Sequence, residues 1–329
     1  MHEPTLTPGR AAGSLAAATR WKPWELALVT ALAASWFVLG SHALLAHEIA
    51  VLALFALSLD LILGYAGIVS LGHAAFFGFG AYVAALFAKH AMPDPLVGLA
   101  VAVGATALLG AATSVLVLRG SDLARLMITL GVAAILYELA NKLDFTGGAD
   151  GLQGVTVAPL LGRFEFDLAG RTAYAYSLAV LLVALLIARR IVGSPFGWSL
   201  RAIRDNRLRA ASIGLHVDAR LAVVYTIAAA MAGAAGALQS QTSGFASLDA
   251  LDFHRSAEVM LVVVIGGAGW LWGGVIGAIA FKLLHDLIAA WTPQYWTFWI
   301  GLVLLVLVLV GRDRFVRPWT WFRRGGSPR

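Results

Sequence analysis

Ionisable side chains are scarce inside the long apolar runs of this sequence: Asp60, His73, Glu138, Glu258, Lys282, His285 and Asp286. Groups of these types could relay protons, hold a metal or couple transport to an ion gradient, because each is costly in an apolar medium and needs a cavity or a partner. Spacing limits the choice. Lys282 and Asp286 stand four apart and can pair on one helix face, and Glu138 lies near a helix end. The eight histidines are scattered, with no pair at ligand spacing, so no metal site is expected. No Ser-His-Asp order can be argued either, so no catalytic residue is assigned. Asp60 and His73 remain as candidates for a buried polar role. They bracket Gly64, Gly67 and Ser70. Irregular backbone at membrane depth is tolerated where protein or a water-filled cavity satisfies its polar groups, and broken helices of that kind line transport pathways. Asp60, Gly64, Gly67, Ser70 and His73 are therefore candidate pathway-lining residues; the alternative is that these glycines only let helices pack closely.

Two further patterns carry weight. Gly269, Gly273 and Gly277 repeat at spacing four, which predicts a ridge of small residues on one helix face for close packing, and Ala229, Gly233 and Ala237 repeat the arrangement. Residues 194–214 run Ser194-Pro-Phe-Gly197 through Arg201, Arg204, Asp205, Asn206, Arg207 and Arg209 to Gly214. Ser-Pro starts a helix and Gly stops one. One amphipathic helix is expected between them, with Leu200, Ile203 and Ala211 on a shared face and Asp205 four residues ahead of Arg209. Such a helix suits either a basic segment held at anionic head groups or a docking element for a partner. No Gly-Lys dipeptide occurs anywhere, so the chain has no Walker A phosphate loop.

The elements that must position these residues follow from composition. The chain has 329 residues, 60% hydrophobic and 13% charged, with 24 Lys+Arg against 18 Asp+Glu and no cysteine. A soluble domain carries about 25% charged residues. These values exclude a soluble enzyme, a disordered chain and a disulfide scaffold. They predict an all-α, polytopic membrane helical bundle of about 8–10 transmembrane helices, some broken or re-entrant at Gly-rich segments. Apolar runs are read at 24–45, 49–63, 74–88, 96–118, 123–140, 173–188, 221–238, 258–290 (two helices with a break at Gly266–Gly269) and 298–310. Residues 141–172 are too polar to sit in lipid, and 239–255 form a polar connection. Arginines cluster in 189–220 and 312–329, which is the positive-inside pattern rather than a nucleic-acid footprint. With 1–23 as an N-terminal tail on the same side, ten crossings satisfy all three inside segments, and eight do so if two runs are re-entrant. Both termini are then cytoplasmic. Trp291, Tyr295, Trp296, Trp299, Trp319 and Trp321 suit an interfacial belt.

The stretch Leu59-Asp-Leu-Ile-Leu-Gly-Tyr-Ala-Gly-Ile-Val-Ser-Leu-Gly-His73 through Tyr82 resembles the signature of branched-chain amino acid ABC transporter permeases of the LivM type. Three more blocks agree, in the family's order: Thr129-Leu130-Gly131 with Thr146-Gly-Gly-Ala-Asp-Gly-Leu152, Ser194 through Gly214, and Val264 through Ala278. Together they span about 49–311.

The resemblance implies a subunit of an importer in the bacterial inner membrane. Its transmembrane permease domain would cover 24–311, followed by a basic cytoplasmic tail at 312–329. The segment at about 191–219 would be the loop that docks on the ATP-binding subunit, with Gly197, Arg201, Arg204, Asp205, Ala210 and Gly214 matching the motif. The implied partners are a second, LivH-like permease, two cytoplasmic ATP-binding subunits and a periplasmic or extracellular substrate-binding protein. ATP would be bound by those separate subunits, and this chain would need no cofactor of its own. Gly147, Gly148, Asp150 and Gly151 would belong to an external segment which, with 239–255, receives the binding protein. Two departures stand out. Arg207 and Ala211 replace residues that are often acidic in the family, and Val310-Gly-Arg-Asp-Arg lacks the usual proline-arginine-glycine ending. Related permeases serve urea, short amides and aromatic acids, so the substrate stays open. A self-sufficient secondary transporter would want several deep carboxylates, and only Asp60 reads as deep.

Overall fold

In the computed structural model, residues 22–38, 42–167, 169–291, 298–299 and 301–302 are described. The expected N-terminal tail up to residue 21, the tail 312–329, most of the final run at 298–310 and the aromatics Tyr295, Trp296, Trp319 and Trp321 lie outside them.

The described chain is built of helices, with two isolated β-bridges and no strand. They are α1 (Pro23–Val38), α2 (Ala43–Asp60), α3 (Ala74–His90), α4 (Pro95–Val117), α5 (Asp122–Lys142), α6 (Arg171–Gly193), α7 (Pro195–Asp205), α8 (Arg207–Ser212), α9 (Val217–Ser243), α10 (Phe253–Gly266) and α11 (Gly273–Trp291). Local chemistry sets many of their ends. Asp94 caps α4 by accepting from the Leu96 and Val97 amides, with Pro95 at the first helical position. Ser194 and Pro195 do the same for α7. Gly244, at φ 75°, closes α9.

Among the described residues, six helices are long and apolar enough to cross a membrane: α2 with its extension to Tyr65, α4, α5 from Leu123, α6, α9 and α11 to Ala290. At 16, 17 and 14 residues, α1, α3 and α10 fall at or below the ~17-residue minimum for a crossing. The structure corrects three expectations. Helix α2 begins at Ala43, so the first run does not reach Leu45 as one helix, and His47 and Glu48 lie inside α2. Both side chains find partners there, so they do not separate two runs: His47 bonds to Ser177 and Thr242, and Glu48 pairs with Lys282. The basic segment is two helices, not one. Asn206 is extended and caps α8 by accepting from the Arg209 amide at 2.9 Å. That break changes the helical phase, so Ala210 rather than Ala211 is buried beside Leu200 and Ile203, and Asp205 pairs with Arg204 while Arg207 pairs with Asp218. Finally, Gly269 is not on a helix; it lies in the bend between α10 and α11 at φ 80°.

The core is organised around α2 and α9. In α2 and its extension 83% of the most apolar window is buried, and in α9 72%, against 28% in α4 and 22% in α5. The first two are therefore central, and the last two present their apolar faces outward. Without a hydrophobic drive between helices in lipid, close approach through small residues must hold them together. Helices α4 and α9 show this in antiparallel register: Gly98 faces Gln241, Ala102 clusters with Ala237, Thr106 lies on Gly233, and Gly110 on Ala229. The same helix meets α3 through Gly233 on Gly80 and Gly236 on the Phe77 carbonyl.

Candidate functional site

Helix α2 ends in a π-helical turn, Leu61–Tyr65, followed by non-helical backbone to His73. Turns of this kind occur mostly inside α-helices and often at functional sites. The turn meets a second irregularity, the α10–α11 bend. Asp60, 1% exposed, accepts a hydrogen bond from the Gly269 amide through Oδ1 at 2.7 Å. Gly64 lies directly against the Gly269 backbone, with no room for a Cβ. Asp60 and Gly269 are thus a side-chain cap joining two breaks that are far apart in sequence.

Helix α7 reaches into the same place. Arg204 Nη1 donates to the Gly64 carbonyl, and its aliphatic stem packs on Gly67, which is held at φ 72°. The same Nη1 lies beside Gly269. One turn earlier, the Arg201 guanidinium sits over the Tyr65 ring at 5.3 Å and over Trp198 at 4.9 Å. Gly197 packs against the Ile191 and Val192 carbonyls at the end of α6. Ala210 is buried, and Gly214, at φ 85°, follows the end of α8. Asp205 points outward, its side chain 74% exposed. The other outward groups include large apolar side chains, Leu208 at 82% and Ile213 at 71% exposure. Leu208 lies on α8 and Ile213 just past its end, so these exposed apolar side chains stand beside the exposed Arg204 and Arg209.

His73 and Ser70 are placed apart from this junction. The Nε2 of His73 is 2.9 Å from Ser58 Oγ, its ring stacks on Phe55, and the next residue's amide, Ala74 N, donates to Ser256 on α10. The side chains of Asp60, Ser70 and His73 are buried by neighbouring helices of this chain, and Gly67 is exposed.

At the opposite end of the bundle, Gly147, Gly148 and Gly151 all adopt positive φ. They let residues 144–152 fold back so that Leu152 and Ala246 exchange two backbone hydrogen bonds of 2.8 and 2.9 Å. The 141–172 segment and the 244–252 connection therefore meet in one surface, on which Asp150 is exposed.

Two groups escaped the sequence reading. Glu48 falls between the apolar runs 24–45 and 49–63, and Arg255 in the polar connection 239–255; the structure gives them ion pairs of 2.6 Å with Lys282 and Glu258. The spacing of Arg255 and Glu258, three apart, was the available signal. Lys282 also lies 3.5 Å from Asp286, the pairing expected from their spacing, and His285 Nδ1 is 3.1 Å from the same carboxylate. Glu138 pairs with Lys142 on an exposed face. Gly273 and Gly277 pack against the Gly266 and Val262 backbone of α10.

Comparison with known proteins agrees with this architecture. The permease protein LivM of the high-affinity branched-chain amino acid transport system of Salmonella typhimurium is 30% identical over 294 residues, covering 81% of this chain and 68% of that one, and LivM of Escherichia coli K12 matches equally. LivH of Escherichia coli K12 is 28% identical over 36% of this chain and 38% of its own. The autoinducer 2 import permease LsrC of Photorhabdus laumondii is 28% identical over 41% of this chain and 43% of its own. No solved structure matches the chain. The family described as the permease component of the branched-chain amino acid transport system matches residues 41–309, and the chain belongs to that family.

Proposed function

We propose that this chain is the transmembrane permease subunit of an ATP-driven, binding-protein-dependent importer of branched-chain amino acids, and that it forms half of the substrate pathway beside a second, LivH-like permease. The observation that carries the reading is the junction at Arg204. Arg204 on α7 is bonded to the Gly64 carbonyl in the first helix break and lies beside Gly269 in the second, so a push on α7 would reach both breaks through one side chain. An ATP-binding subunit held on α7 and α8 would move the π-turn and the α10–α11 bend together, alternating the bundle between two states. The junction then acts as a hinge. With α7 cytoplasmic, the Leu152–Ala246 surface faces outward, where a substrate-binding protein would dock. The amino-acid assignment rests on LivM relatives that span most of the chain, where the autoinducer 2 permeases span under half.

The test is co-purification. A tagged chain expressed with its partner permease and ATP-binding subunits retains those subunits, and Leu208→Asp with Ile213→Asp, or opposite charges at Arg204 and Asp205, releases them. Full retention of the ATP-binding subunits by these variants overturns the docking assignment.

A further inference from the structure

Ionisable groups also gather where α2, α3, α9, α10 and α11 meet, away from α7. Lys282 Nζ is 2.6 Å from Glu48 Oε2, and Arg255 Nη1 is 2.6 Å from Glu258 Oε2. All four residues line one cavity of about 180 Å³, together with Gln239 and the apolar side chains of Val51, Leu52, Phe55 and Phe77. The Arg255 guanidinium lies 5.4 Å over the Phe77 ring, and Phe55 and Phe77 are in contact as a floor, 4.7 Å between ring centres. None of the four charged side chains is fully enclosed; their exposures run from 21% for Lys282 to 52% for Glu48. Lys282 stands midway along α11, a helix long enough to cross the membrane. Charged groups there do not face acyl chains without a large penalty, so they face water or protein. A larger cleft of about 660 Å³ shares Phe77, Gln239, Arg255 and Glu258 with the cavity and reaches the exposed Phe245 and His254. The inner cavity thus has an approach.

The charge balance defines what fits. The lining holds two cations and two anions, with Asp286 3.5 Å from Lys282 beyond it, so an entering monoanion or monocation changes the net charge of the lining by one. A zwitterion does not: its carboxylate takes a cation from one pair, its ammonium takes the anion, and neutrality is kept. The volume lies below the roughly 300–1,000 Å³ of drug-sized pockets, which limits the occupant to a small metabolite. Val51, Leu52, Phe55 and Phe77 offer an apolar wall for a hydrocarbon side chain.

We propose that this cavity is a transit site for a zwitterionic amino acid, with Arg255 and Lys282 facing its carboxylate, Glu258 and Glu48 its ammonium, and the Phe55–Phe77 floor its side chain. The assignment rests on the importer reading above and adds to it the residues and the charge class of the cargo.

The experiment uses the complete complex, both permeases with the ATP-binding subunits and the binding protein, reconstituted in liposomes. Uptake of leucine, urea and benzoate is measured first on the unaltered complex, then on variants. Arg255→Gln and Glu258→Gln each lower leucine uptake by about tenfold or more, while subunit co-purification and ATPase stimulation by the loaded binding protein stay within about twofold. The exchanged double variant R255E/E258R keeps the ion pair but interchanges its charges, and its uptake stays low. Wild-type uptake by the exchanged variant shows that the pair is structural and overturns the proposal, as does loss of the second permease from the single variants. Wild-type uptake by the Gln variants overturns the cavity alone. An unaltered complex that carries urea or benzoate but not leucine overturns the amino-acid reading of function, and the zwitterion site with it.

Discussion

Replacing Arg204 by Met keeps an aliphatic stem on Gly67 and removes the guanidinium that donates to the Gly64 carbonyl. In the reconstituted complex Arg204→Met therefore retains the ATP-binding subunits and hydrolyses ATP, but uptake per ATP hydrolysed falls by about tenfold, as loss of one charge-assisted hydrogen bond implies. An unchanged ratio removes Arg204 from the coupling route. Asp60 is tested by contrast. Asp60→Asn still accepts from the Gly269 amide and keeps the fold, whereas Asp60→Leu leaves that donor unsatisfied and costs about 1–3 kcal/mol, read as a lowered melting temperature in detergent. Equal melting of the two variants contradicts the bond. The reach of sequence reasoning is visible at these positions. Asp60 is conspicuous because a carboxylate in an apolar run must have a partner, but that partner is a backbone amide 209 residues away. No local rule points to it. Gly269 was misplaced because spacing four describes a helical ridge and a bend glycine next to a helix equally well; only its positive φ, set by the tertiary contact, distinguishes them.

At the scale of elements, the pairing of α4 with α9 depends on small residues at each crossing point. Gly233→Leu drives a side chain into Thr106 on α4, while nothing lies within 4 Å of a Cβ at Gly104 on the same helix. Gly233→Leu consequently destabilises the bundle by roughly 1–3 kcal/mol or more, and Gly104→Leu leaves the melting temperature unchanged. Similar melting of both variants refutes the register. The beginning of α7 was legible because Ser194-Pro195 carries its own capping chemistry, and Asp94-Pro95 offers the same signal at α4. The start of α2 was not, since His47 and Glu48 interrupt the apolar pattern until α6, α9 and α11 supply their partners. The division of the basic segment at Asn206 had a signal, an Asn able to cap the next turn, which was outweighed by the longer helix pattern around it.

Over the whole molecule, the two ends of the bundle differ in kind. One carries α7 and α8, joined by Arg204 to the break of α2 and set beside that of α10–α11; the other carries the Leu152–Ala246 surface, and the charged cavity opens into the cleft that Ala246 lines. Deleting 147–151 removes the glycines that fold this surface, so stimulation of ATP hydrolysis by the binding protein is lost while the subunits still assemble; undiminished stimulation excludes the surface as the docking site. The central claim, that this chain works as one half of an ATP-driven pathway, is tested most directly by leucine uptake into liposomes containing the purified chain alone or the full complex. The expected result is accumulation only with the second permease, the ATP-binding subunits, ATP on their side and the loaded binding protein on the other. Accumulation by this chain alone, driven by an ion gradient without ATP, contradicts it.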